Sequence, residues 1–501
     1  MSSAIFRLCF QAILSAALLG LSACAVVAPL SPPQACKAAL PVRGGWLNSF
    51  TAGCIDENGH FIGGSQLIHL VPHQGRLYGA LGYWKDSRNI WYGGRDASNG
   101  WAQVLRLDDE RGAWKVDLDM GAHHLRAELL KSVTFTQDAN GRALESPQTL
   151  LIAATYDGPG TGGVSVFVRD DATGSWVRTK LISASTGVRG EDNSVRAAVV
   201  YRDRVTGEES LFVSVGVLGL YRGRYDPAAP GRIRWDPKPE AGAGLYTRIL
   251  SVVEAQGSLY VSEGAKILRR IDGPSPRYEQ VVDLSSEIDT GTSRKVFQSI
   301  GGIRGLSALP GSTPGQESLI FVWHSGRHSA ACVMRLDPGP QGSHQLVREE
   351  CLSRAVSQHL GGLPIGFVLA AYNNFMPVRD PRSGQWAHVV GLEAFIPKSG
   401  SVQAAQHLLA ENQRNAQGGF YAGAMYALRN AQGRWSVGEV MGRHTPGDPS
   451  LVSIYTFASS PFSIGDRPRI YLGGYDANDY PSTNTAWIYS ADLEALFGAP
   501  P

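Results

Sequence analysis

Between Leu245 and Leu284 the apolar positions of the chain fall into four short runs, each bounded by turn-forming residues. Tyr246–Val253 runs into an Ala-Gln-Gly turn and is followed by Ser258–Val261; Ala265–Ile271 then leads through a Gly-Pro-Ser-Pro turn to Tyr278–Leu284. The runs are too short for helices and are rich in Leu, aromatic and β-branched residues, so the pattern predicts four antiparallel strands, a to d in chain order. One such meander cannot bury both of its faces. Copies of it must stack, which predicts an all-β fold of the propeller type.

The unit recurs along the chain. Strand b is repeated after Arg76, Thr149, Ser210, Ser258, Ser318, His388 and Arg469, and strand c after Ala102, Val164, Gly219, Ala265, Ala331, Ala424 and Ala486. This predicts a seven-bladed β-propeller of four-stranded blades. Asp109 to Trp114, Asp171 to Trp176 and Asn430 to Trp435 share an acidic or amide residue, a Gly and a Trp at the c–d turn. Asp, Asn and Gly suit the turn backbone, and the Trp is placed to cover the next blade, so this signature reads as structural. After Ala486–Ala491 too little chain remains for a fourth strand. Trp46–Phe50, or the stretch around His60 to Ile62, is expected to complete the last blade and hide two edges. The alternative is that Leu493 to Phe497 forms a short helix and the ring closes less tidily.

Composition supports a single large repeat domain. Fifty-nine glycines, evenly spread aromatics and the lack of long amphipathic helical patterns fit an all-β chain, and no charged or low-complexity run marks a linker. A net charge of +2 gives no reason to expect a nucleic acid partner. Besides Cys9 and Cys24 there are four cysteines, which fall into two local pairs, Cys36 with Cys54 and Cys332 with Cys351. In the second pair the Gly339-Pro340-Gln341-Gly342 turn lies midway, so the two cysteines occupy opposed hairpin positions. The alternative is four reduced, buried thiols; no CxxC spacing is available for metal or redox chemistry.

At the N-terminus, Arg7 supplies a positive charge, Ala12 to Leu21 an apolar stretch too short to span a bilayer, and Leu21-Ser22-Ala23-Cys24 follows. This order resembles a bacterial lipobox. The resemblance implies a signal peptide at 1–23, a diacylated Cys24 and a lipid-anchored tether at 24–45 ahead of a propeller domain at 46–501. Ala25 in place of Asp implies outer-membrane sorting, with the domain facing the periplasm. In leader plus repeat the chain is similar to bacterial propeller lipoproteins in general. Asp171 to Trp176 slightly resembles the Trp-docking repeat of quinoprotein-type propellers, but one shortened copy transfers neither a quinone cofactor nor an assembly role. Sialidase-type Asp boxes and a WD series do not recur.

Candidate chemistry comes from aligning the innermost strands. Arg126, Arg196, Arg248 and Arg304 share one register in four successive blades, Gln66 takes that place in the first, and Tyr372-Asn373-Asn374 and Tyr455 take it in the last two. Four guanidiniums at one mouth require anionic partners. These are either a bound ligand or internal carboxylates, with Glu128, Glu191 and Asp192 near enough in sequence to serve. Arg126, Arg196, Arg248, Arg304, Tyr372 and Asn373 are therefore the candidate ligand-binding residues. His123, His124, Asn193, Asp157, Glu263, His324, His328, Glu393 and Asp476 map to the same face. Of these, His324 and His123 are the candidate acid–base residues. No spacing is diagnostic of a metal or names a cofactor. The leading expectation is a monomeric binding propeller that captures an anionic small molecule, glycan or envelope protein. Alternatives are a hydrolase or lyase acting on an acidic sugar or lactone, and a structural scaffold of an envelope complex.

Overall fold

The computed structural model describes residues 33–89, 98–157, 163–183, 193–242, 248–311, 316–326, 328–397, 419–441, 451–462, 467–478 and 482–498. The leader with Cys24, and Glu191, Asp192 and Tyr246, lie outside the described residues. Among the described residues no helix is long and apolar enough to cross a membrane.

The structure is all-β, built from propeller-like antiparallel sheets. Ile249–Ala255, Ser258–Glu263, Lys266–Ile271 and Arg277–Asp283 pair in chain order as one four-stranded sheet, as the apolar runs predict. Residues 195–235 and 302–351 repeat this order. Residues 66–119 and 124–182 each do so as well, and a backbone pairing of Arg126 with Gly82 joins them. All the predicted second and third strands are present.

Residues 367–439 depart from the pattern. The first strand is broken into Phe367–Ala370 and Met376–Arg379, both paired with the long strand Trp386–Pro397. Ala371 takes a left-handed φ of 50° at the break, and residues 371–375 belong to neither half. The next sheet contains Ser453–Ser459, Arg469–Tyr475 and Ala486–Asp492, and its fourth strand is Trp46–Thr51 from the other end of the chain, with Trp46 opposite Ala491. Phe61–Ile62 pairs instead with Cys54–Ile55. Leu493–Phe497 forms a short 3-10 helix after Ala486–Asp492. Regular structure also starts ahead of residue 46. Leu40–Pro41 pairs with Leu47 and Asn48, and Cys36 is bonded to Cys54, both within the span read as a tether.

The core lies between sheets, and the two-residue period of a strand explains why. Leu150, Ile152 and Ala154 face residues 195–235, while Leu151 and Ala153 face residues 66–119. Ile320 and Val322 likewise pack toward residues 367–439, and Leu319, Phe321 and Trp323 toward residues 249–283. Strands apolar on both faces are what a stack of sheets requires.

Cys332 and Cys351 stand directly opposite in their strand pair and are disulfide-bonded. Two disulfides suit an extracellular or periplasmic environment.

The tryptophans correct one expectation, because each reaches back to the preceding sheet. Trp176 Nε1 donates to Asp117 at 2.8 Å, Trp235 Nε1 to Thr179 at 2.9 Å and Trp435 Nε1 to Glu349 at 3.2 Å. Trp114 Nε1 donates to Ser49 on the N-terminal strand at 2.9 Å. Each indole belongs to strand d or the residue just before it, where the acceptor within reach of its N–H lies on the fourth strand of a neighbouring sheet.

Candidate functional site

Arg126, Arg196 and Arg304 lie in the first strands of their sheets and Arg248 immediately precedes Ile249; none is more than 5% exposed. Tyr372 meets three of them. Its hydroxyl accepts from Arg126 Nη2 at 2.6 Å and Arg196 Nη1 at 3.1 Å, and its carbonyl accepts from Arg196 Nη2 at 2.8 Å. The Arg196 and Arg304 guanidinium carbons lie 4.1 and 5.9 Å from the centre of its ring. The break at residues 371–375 makes this possible, since a continuous strand would keep Tyr372 in the sheet ladder.

Glu128 supplies the counter-charge. One oxygen meets Arg126 at 2.5 Å and the other Arg196 at 2.8 Å. Burial pushes its pKa up, but Arg126, Arg196 and Arg248 outweigh this and hold the carboxyl below its ordinary value. Arg248 and Arg304 also donate to the carbonyls of Gln298 and Ser299, the latter at 2.6 Å. These carbonyls lie near the C-terminal end of helix Arg294–Ile300, where the backbone dipole is negative.

Glu393 behaves in the opposite way. It accepts from Ser453 at 2.6 Å and from Tyr455 and Tyr475 at 3.0 Å each. Burial is the largest influence and raises its pKa, the three hydroxyls and the charge of Arg304 opposing without overcoming it. Tyr455 stacks on Tyr372 at 4.0 Å, so the two carboxylate environments are joined through a pair of rings. Asn373 donates to the carbonyls of Ile68 at 2.7 Å and Tyr455 at 3.2 Å, tying the strand break to two other sheets.

The two candidate acid–base histidines are not brought together. His324 is fully buried, with Nε2 3.2 Å from the Ala370 carbonyl and Nδ1 3.2 Å from Ser329 Oγ. Burial and then Arg304 push its pKa down to about 3, so it is neutral at physiological pH. His123 is exposed in a turn, with φ 74° and its ring beside Trp101. His328 is exposed, and Asp476 is buried and accepts from the Asn478 backbone. Among the described residues no group of three or more His, Cys, Asp or Glu side chains is arranged to hold a metal ion.

Two residues of this region were not singled out by sequence. His69 donates from Nε2 to the Glu128 carbonyl at 2.8 Å, and burial lowers its pKa to about 4. Lys131 follows Arg126 on the same strand. Both line a cavity of about 520 Å3 bounded by the first strands, a few residues along from the arginines. Their positions on first strands were the available signal, since every such strand has one edge toward this space.

No family model matches the chain, and no curated protein matches it. Solved structures resemble it at low identity. One is a structural-genomics protein of unknown function from Bacteroides thetaiotaomicron, 10% identical over 88% of this chain and 73% of that one, with a TM-score of 0.34. Another, of unknown function from Dyadobacter fermentans, is 9% identical over 89% and 99%, with a TM-score of 0.38. A fungal alcohol oxidase of the AA5 family, in complex with copper, is 14% identical over 91% and 76%, with a TM-score of 0.42.

Proposed function

We propose that this chain is a lipid-anchored envelope protein, a seven-bladed propeller closed by its N-terminal strand, that binds an anionic ligand at the arginine layer on its axis. The blade count is supported by the recurrence of the four-strand unit, and closure by the pairing of Trp46–Thr51 with Ala486–Asp492 and the packing of Ser453–Ser459 against Gln66–His73. Anchoring in the outer membrane through Cys24 is supported by the lipobox-like leader together with disulfides suited to an exported chain.

The observation that carries the binding reading is the gathering of buried cations in one layer. Among the described residues Arg126, Arg196, Arg248 and Arg304 share it with Glu128, whose pKa is lowered, and Glu393, whose pKa burial raises. A layer so rich in arginine draws anions toward it. Binding is favoured over acid–base turnover because His324 is sealed in the interior and His123 lies in an exposed turn. A second reading, a purely structural layer, is favoured by the direct pairing of Glu128 with Arg126 and Arg196.

Thermal unfolding in sulfate, phosphate, citrate and uronic acids distinguishes them. Under the binding reading one of these anions raises the melting temperature of the wild type, and Arg248→Ala or Arg304→Ala weakens that response. Under the structural reading no anion stabilises the wild type and both variants are destabilised in every buffer. Anchoring is checked separately, through the loss of fatty-acid label in Cys24→Ala.

A further inference from the structure

We infer that the cavity beside the arginine layer is a binding site of its own, for a small organic monocarboxylate with an apolar body whose carboxylate meets the Lys131 ammonium. The cavity, of about 520 Å3, lies within the ~300–1,000 Å3 typical of small-molecule sites. Among the described residues its lining includes Lys131, Arg196 and His69, and contains no Asp or Glu. The Arg196 guanidinium is already engaged by Glu128 and Tyr372, and His69 by the Glu128 carbonyl. Lys131 is different. It keeps contact with solvent because it extends into the cavity, yet the first strands surround it, and this enclosure lowers its pKa. Among the described residues no carboxylate or hydrogen-bond acceptor pairs with it. A cation lining a cavity with no carboxylate beside it is the feature a bound anion would complete.

The walls set the ligand class. Leu70, Leu130, Val252, Leu306 and Phe457 make much of the surface apolar. Most of the nearby hydroxyls are already committed, Ser132 to His73, Thr456 to the Leu70 N–H and Ser307 to the Gly305 carbonyl, which leaves the Ser251 hydroxyl as a single further donor. A phosphate dianion would bring more charge and more acceptors than this lining satisfies. A monocarboxylate with an apolar body matches one cation and an apolar wall. The inference does not depend on ligand binding by the arginine layer.

Isothermal titration calorimetry of the folded, leader-free chain with 2-naphthoate and octanoate, and with inorganic phosphate as the comparison, tests it. Saturable one-to-one binding of a carboxylate probe is expected, weakened roughly tenfold or more in Lys131→Met and substantially retained in Lys131→Arg. Arg304→Ala should leave probe binding within about twofold of wild type, whereas it would weaken an anion response originating in the arginine layer. Melting curves of both Lys131 variants should match the wild type, which separates loss of binding from loss of fold. Failure of the wild type to bind either probe, equal binding by Lys131→Met, or preferential binding of phosphate would overturn the assignment.

Discussion

Charged groups occur in two settings in this protein, at the outer seams between sheets and in the inner arginine layer, the axis of the proposed propeller. At the seams one arrangement is used repeatedly: Arg169 and Trp176 share Asp117 of the preceding sheet, Arg429 and Trp435 share Glu349, and Arg270 and Tyr278 share Glu240. In each case strand c supplies the arginine, strand d the aromatic donor, and the outer edge of the sheet before supplies the carboxylate. In the inner layer the arginines recur, but among the described residues their partners do not. Glu128 bridges arginines of two sheets, and Tyr372, 246 residues away in sequence from Arg126, fills the space between them. A seam joins only neighbours, so damage there stays local. The axis joins sheets distant along the chain, and its side chains are almost wholly buried, so damage there leaves charge stranded in the interior.

This contrast predicts an order of effects. Deleting residues 35–51 should be the most severe change, because it bares the edge of Ala486–Asp492 and removes Trp46 and Phe50 from two separate core clusters. Truncating either aromatic alone is an event of about 3–5 kcal/mol. Loss of a cooperative melting transition in differential scanning calorimetry is the expected outcome, and an unchanged transition would remove the N-terminal strand from any role in closure.

Next comes Glu128→Gln, which leaves Arg126 and Arg196 buried without their shared carboxylate and should cost about 3–5 kcal/mol in urea unfolding. If it proves near neutral, the arginine layer is held by something other than Glu128. Glu349→Gln at a seam should cost less, about 1–3 kcal/mol. Arg335 retains Asp337 as a partner and the loss is confined to Arg429 and Trp435. Equal costs for the two substitutions would abolish the distinction between axis and seam.

The smallest effect is a response to pH. His69 and His324 have pKa values pushed down from 6.5 to about 4 and about 3, so between 6.5 and those values the unfolded chain binds more protons than the folded one. Stability therefore rises with pH through this window and is lost on acidification. Glu128, with its pKa depressed, contributes stability above the ordinary carboxylate range that is lost only as pH falls through its lower folded value. The urea midpoint should drop between pH 7 and pH 5, and His324→Gln should reduce that drop. A slope unaltered by this substitution would mean that His324 is not held neutral in the fold.

How much of this was legible beforehand follows the same division. Strands such as Ser258–Glu263 and Ser318–His324 could be read from alternation and turn residues alone, because which residues face a neighbouring sheet depends on a two-residue period. The pairing of Cys332 with Cys351 could be read from a hairpin turn placed midway between them. The four arginines could be aligned by register, yet their partners could not. Tyr372 enters the layer only because the strand carrying it breaks at Ala371. Glu393 is kept toward neutrality only by the burial and hydroxyls that three-dimensional packing brings to it. Local periodicity is a property of consecutive residues and survives in the sequence; the charge state of a buried group is decided by residues hundreds of positions away, and only the tertiary structure brings them within reach.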